Sequence, residues 1–222
     1  MNMIEDSPGK ESSATQGAYL TLRKMILNGS LPAGQKLKIE QLRGLLNTGA
    51  SPVREALSLL TSDMLVERID QRGFRAAPAN LENFHEILAL RFKLEDMALR
   101  AAIANATPDW EERLVVAHHH MKKSAAQNSA TFEDAHKKFH MALLENSGSP
   151  MLERFCSQLY DLNIRYRYLA ASNSDYERRD VSAEHQEILD AAIQRDADLA
   201  TECLLSHYRL TGDYLAQQLE SL

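Results

Sequence analysis

Cysteine is nearly missing from this chain: Cys156 and Cys203 are its two examples in 222 residues. They stand in helical apolar patterns without Cys-x-x-Cys spacing, which removes a disulfide scaffold and a cysteine-rich metal module from consideration. No apolar run is long enough to cross a bilayer and no secretory leader opens the chain, so a cytoplasmic protein without a membrane partner is expected. Positive charge is also short, the formal net charge being −6. An acidic chain meets nucleic acid only if its charge is uneven. Here residues 1–78 hold ten Lys and Arg against eight Asp and Glu, while the remainder holds fifteen against twenty-three. Internal repeats and low-complexity tracts are absent. At this length two modest domains fit, the first ending near Pro78.

What is present begins with three short helical patterns and an alternating pair. Tyr19, Leu22, Met25 and Ile26 keep helical spacing up to Asn28-Gly29, with Pro32 and Gly34 opening a turn. Ile39, Leu42, Leu45 and Leu46 do the same between Lys38 and Asn47, and Asn47-Thr48-Gly49 supplies a sharp turn. A third helix is expected from Ser51 as cap and Pro52 at the first position, with Val53, Leu57 and Leu60 buried. The period then changes to alternation over Leu65–Ile69, Asp70-Gln71-Arg72-Gly73 turns the chain, and Phe74-Arg75-Ala76 returns. That order is a winged helix-turn-helix over residues 17–78, behind a polar, flexible leader over residues 1–16. Ser51 and Arg54 are placed to reach the major groove of double-stranded operator DNA, Lys38 and Arg43 to hold phosphates, and Arg72 to enter the minor groove from the wing tip.

From Leu81 onward helix follows helix, with breaks near Asn105–Pro108, Gln127–Ser129, Ser147–Pro150, Ser172–Ser174 and Arg195-Asp196. A mainly α architecture follows: the winged domain, then an all-helical bundle of about six helices over residues 79–222. Polar residues stand where the apolar stripes predict burial. Arg91 and Glu95 share a face with Phe84, Ile87 and Ala98. His136 and His140 are four apart on one face, the spacing that lets both imidazoles reach one ion. His185 falls in the Val181, Ile188, Ala192 stripe, and His207 in a Leu199, Cys203, Leu210, Tyr214 stripe. One such histidine is an ordinary core residue; four on inward faces of three helices point to a divalent ion, zinc or nickel first, or to an acid held by the imidazoles themselves. His118-His119-His120 cannot share a helix face and reads as mostly surface. Arg165, beside the Leu159, Leu162, Tyr166 stripe, is a second candidate for a ligand carboxylate after Arg91.

The segment Leu22–Pro78 resembles the GntR family of bacterial transcription regulators through Leu22 to Ile26, Gly29, Ala33-Gly34, Pro52-Val53-Arg54-Glu55-Ala56-Leu57 and Arg72-Gly73-Phe74. The serine-arginine pair that many members carry before the third helix reads Gly49-Ala50 here. The second half is similar to the FCD effector domain of the FadR-type subfamily, whose three histidines match His140, His185 and His207 in order, while the family's aspartate is His136. Within that subfamily the combination with Arg165-Tyr166-Arg167 looks closest to the glutarate-responsive repressors. The resemblance implies a dimeric, DNA-binding repressor, not an enzyme, that senses a small carboxylic acid and signals through Ala77–Asn80. Two other classes remain open from the residues alone. One is a metal-dependent bundle enzyme, for which Glu133-x-x-His136 is half of a di-iron motif whose second half is missing; the other is a non-catalytic structural bundle.

Overall fold

A computed structural model describes residues 8–127, 131–170 and 180–220. The chain divides into two compact units, residues 1–80 with 164–169, and residues 81–163 with 170–222. In the first unit, helix α1 (Pro8–Leu27) begins well inside the stretch expected to be a leader. Its first turns are polar all round, so no apolar period announces them, yet a proline suits a first helical position. Thr15 Oγ1 donates to Glu55 at 2.9 Å and Tyr19 Oη to Asp63 at 2.8 Å, which fixes α1 along α3.

Helix α2 (Ile39–Leu46) ends where Asn47 takes a left-handed conformation, φ 47°. Asparagine tolerates that region because its short polar side chain bonds locally. Helix α3 (Ala50–Ser62) starts one residue before the expected Ser51, and its cap position is Gly49, with no side-chain cap bond. Ser51 therefore lies inside the first turn and is not a cap. Pro52 is tolerated two residues in because the first four N–H groups of a helix lack partners anyway. The wing comprises β2 (Val66–Ile69) and β3 (Gly73–Ala76), antiparallel with Val66 opposite Ala76. A short strand the sequence did not announce, β1 (Lys36–Leu37), pairs on the other edge of β3, giving the order β1-β3-β2. Leu22, Val53, Leu57, Leu60, Leu65 and Ala76 form this unit's buried centre.

Six helices follow among the described residues, α4 (Leu81–Ala104), α5 (Pro108–Ala126), α6 (Phe132–Leu144), α7 (Pro150–Ala170), α8 (Val181–Ile193) and α9 (Ala197–Glu220), all in the second unit apart from residues 164–169 of α7. The expected break around Ser172–Ser174 lies outside the described residues. Thr107 caps α5 by accepting from Trp110 N–H at 3.2 Å, and Asp180 caps α8 by accepting from Ala183 N–H at 2.9 Å. Trp110, fully buried, donates its indole N–H to the Ala142 carbonyl at 2.9 Å and so pins α5 to α6. The core runs through Leu99, Leu114, Phe139, Leu143, Ile188 and Leu204. Burial on α9 follows Ala200, Leu204, Tyr208 and Leu215, while Leu199 and Leu210 are exposed, so the true inward stripe is offset from the expected one. His207 remains buried because it flanks that stripe. On α5, His118 is buried against Phe139, ring centroids 5.2 Å apart, contrary to the surface reading; His119 and His120 are exposed. No helix among the described residues is long and apolar enough to cross a membrane.

Candidate functional site

The first unit offers an exposed face on α3 and the wing. Ser51 and Arg54 are both exposed near the start of α3. Glu55, the nearest carboxylate in sequence, accepts from Thr15 instead of pairing with Arg54. Lys38 is exposed at the N-cap position of α2, and Arg72 is exposed in the turn between β2 and β3, where Gln71 and Gly73 both take positive φ. Arg43 is exposed too, but it pairs with Glu40 at 3.0 Å, so part of its charge is neutralised locally.

In the second unit α6, α8 and α9 bring His136, His140, His185 and His207 to one place. All four are buried, and one ring nitrogen of each lies within 4.8 Å of the others. The Nε2 atoms of His136, His140 and His185 form a triangle with edges of 3.1, 3.2 and 3.3 Å. Two nitrogens bound tetrahedrally to zinc at 2.0–2.1 Å are about 3.3–3.4 Å apart. The donor set therefore fits a divalent ion of the zinc, copper or nickel type, and four neutral imidazoles leave that ion's charge uncompensated within the ring of ligands.

A second layer encloses these rings. Tyr160 Oη on α7 lies 2.5 Å from His136 Nδ1, Glu184 Oε2 on α8 lies 2.8 Å from His207 Nδ1, and Tyr208 Oη on α9 lies 3.0 Å from His140 Nδ1. Tyr208 also donates to Glu95 Oε2 at 2.5 Å, and Arg91 Nε donates to Glu95 Oε1 at 2.6 Å. The Arg91 guanidinium sits over the rings of Tyr208 and Tyr160, at 4.0 and 5.3 Å from their centroids. Burial pulls the Arg91 pKa down, but the charge of Glu95 overcomes it and the guanidinium stays firmly protonated, its pKa raised. Burial, then the charge of Glu95, pushes the Tyr208 phenol well above its usual range. One polar atom in this layer is left over: Arg91 Nη2 is buried without a hydrogen-bond partner. A buried donor without a partner costs about 1–3 kcal/mol, more when charged.

The sequence placed Arg91 and the four histidines in one neighbourhood, and the structure brings them together. Arg165 is not brought there. It is buried, but its Nη2 donates to the Ala77 carbonyl at 2.7 Å, and residues 164–169 cluster with the first unit. Arg165 stands five positions beyond Tyr160, about 140° further round α7. Tyr160, Tyr208 and Glu184 were missed. Tyr208 and Glu184 are sequence neighbours of His207 and His185, and an α9 stripe set on Ala200 and Leu204 would have found the tyrosine. A groove of about 980 Å³ between α5 and α6 is lined by none of the expected site residues.

Residues 86–210 match the FCD domain family, and residues 14–75 match the family described as bacterial regulatory proteins, gntR family. The chain is 35% identical over 202 residues to the HTH-type transcriptional regulator BphR of Paraburkholderia xenovorans (strain LB400), covering 88% of this chain and 82% of that protein. It is 28% identical over 197 residues to the HTH-type transcriptional repressor GlaR of Escherichia coli (strain K12), covering 85% and 90%. Among solved structures, E. coli McbR/YncC has the same fold with a TM-score of 0.79 at 23% identity, covering 92% of this chain and 98% of that one.

Proposed function

Starting from the fact that this chain belongs to the gntR family of bacterial regulatory proteins and carries an FCD domain, we propose that it is a cytoplasmic, homodimeric repressor whose helical unit holds a divalent metal and senses a small carboxylic acid. The coarser part needs no proposal: it is a DNA-binding transcriptional regulator and not an enzyme. The single observation behind the finer part is the buried four-histidine cluster, whose nitrogen spacing suits zinc or nickel. A divalent ion held there would supply Lewis-acid attraction for a carboxylate oxygen. His136, His140, His185 and His207 would hold it. Arg91, with an unpaired buried N–H group facing this layer, is the residue we assign to the effector's carboxylate; Arg165, engaged with Ala77, is withdrawn from that role.

For the first unit we assign base reading to Ser51 and Arg54, phosphate contacts to Lys38 and Arg43, and minor-groove entry to Arg72. Exposure of all five supports this. Effector binding then biases operator affinity, with Ala77–Asn80 as the connecting segment.

Metal analysis of the purified chain decides the matter together with calorimetry against glutarate, before and after chelation. The expected result is bound zinc or nickel, glutarate binding that disappears on chelation, and a changed operator shift when both are present. A chain that takes up neither metal nor dicarboxylate would sink the sensing reading and leave the DNA-binding assignment intact.

A further inference from the structure

Two nitrogens turned away from the cluster are as informative as those turned inward. His207 Nδ1 lies 2.8 Å from Glu184 Oε2, and an ionised carboxylate only accepts, so the ring proton belongs on Nδ1. His140 Nδ1 lies 3.0 Å from Tyr208 Oη. The phenol has one hydrogen, and the shorter contact, 2.5 Å to Glu95 Oε2, claims it. The phenol oxygen is then left to accept, and His140 also carries its proton on Nδ1. Where these imidazoles are neutral, each carries its one N–H at Nδ1 and keeps its lone pair at Nε2. His140 Nε2 is the atom that stands 3.1 and 3.3 Å from the Nε2 atoms of His136 and His185.

We propose that Glu184 and the Tyr208–Glu95 pair are positioning residues that fix His207 and His140 as Nδ1–H imidazoles, so that the cluster accepts a cation in preference to an acid anion. An anion would need N–H donors at Nε2, and these two rings offer none. The assignment deepens the metal reading of the same site and rests on it for its purpose, while the tautomers themselves are fixed by hydrogen bonds within the chain. It also accounts for the carboxylate that the direct ligand set lacks: negative charge stands one bond further out, at Glu184 and, through Tyr208, at Glu95. Such outer partners raise ligand basicity, and their loss ordinarily costs 10–100-fold in metal affinity.

The test uses the full chain with ¹⁵N-labelled histidine, stripped of metal with EDTA, and a separate zinc competition titration against a chromophoric chelator. Proton–nitrogen correlation spectra should show His140 and His207 as Nδ1–H tautomers. Glu184→Leu should free the His207 tautomer and weaken zinc binding about 10–100-fold. Glu184→Gln, whose amide oxygen still accepts, should recover most of the loss, and Tyr208→Phe should act on His140 alone. Nε2–H signals from either ring in the unsubstituted chain would overturn the proposal. So would unchanged zinc affinity in Glu184→Leu, or glutarate uptake by the metal-free chain. Correct tautomers in a chain that takes no zinc would instead refute the metal reading and uphold the tautomer assignment.

Discussion

At the scale of single residues, the most consequential feature is that the buried charged groups around the histidines stand in hydrogen-bonded pairs and chains, with Arg91 Nη2 one of three buried side-chain polar atoms left without a partner among the described residues. Arg91 and Glu95 are 5% and 0% exposed and hydrogen-bonded to each other. Removing one partner of such a pair costs about 3–5 kcal/mol because the other is left charged and dry, so a probe of the effector role should keep the charge, as Arg91→Lys does. His118 provides a cleaner residue-level experiment. Burial, then the nearby Lys122, lowers its pKa below the ordinary 6.5. A histidine held neutral in the fold binds fewer protons than the unfolded chain does, so its contribution to stability is full above about pH 6.5 and falls as the pH drops below that value. In chelated protein, denaturant midpoints of the unsubstituted chain should therefore decline relative to His118→Gln between pH 7 and pH 5. A constant difference across that range would show that the imidazole is not held neutral. The identity of these residues was legible in the sequence, since Arg91, Glu95 and the four histidines interrupt apolar stripes. Their hydrogen-bond partners were not, because Tyr160, Tyr208 and Glu184 come from helices whose mutual rotation no local pattern encodes.

At the scale of elements, α8 carries the heaviest burden per residue. Its first turn and a half holds Glu184 and His185, and that turn depends on one side-chain cap, Asp180 Oδ1 accepting from Ala183 N–H. Asp180→Ala should cost about 1 kcal/mol of stability and, by fraying the turn that carries both residues, weaken zinc binding measurably. Thr107→Ala should cost a similar amount of stability at α5, which carries no ligand, and leave zinc affinity unchanged. Comparing the two variants by thermal melts and zinc titration separates loss of a cap from loss of a site, and equal zinc affinity in both would refute the link. Element boundaries were read well wherever punctuation is local, as at Asn28-Gly29, Pro108 and Pro150. They were misread where it is not. The polar start of α1 has no period to betray it, and β1 is two residues long and exists only because the edge of β3 stands beside it. The α9 stripe was set by Leu199 and Leu210, which turn out to be exposed, because apolar residues occur on surfaces as well as in cores.

At the scale of the whole molecule, a chain of net charge −6 must reach a polyanion with a locally basic portion. Its affinity for operator DNA should therefore fall steeply as salt rises, and Arg54→Ala and Arg72→Ala should each reduce the slope of log affinity against log salt by about 1 if the lost contact is to phosphate. Arg54→Ala should in addition flatten the difference between operator and random DNA by about 1–3 kcal/mol, because base contacts specify while phosphate contacts position. Filter binding or fluorescence anisotropy over 50–200 mM salt reads both. Unchanged slope and unchanged discrimination in both variants would remove these residues from the interface.

The sequence by itself determined the order of helices and strands, the change from a period of 3.6 to one of 2 at the wing, and the presence of imidazoles on inward faces, since each of these is a property of residues a few positions apart. Only the tertiary structure decided that three Nε2 atoms meet within 3.3 Å, that Arg165 hydrogen-bonds the Ala77 carbonyl, and which tyrosines and carboxylates stand behind the rings. Those outcomes depend on how helices distant in the chain are rotated and placed against one another. That rotation is set by the packing of the whole core around Leu99, Phe139, Ile188 and Leu204, and no single segment contains it.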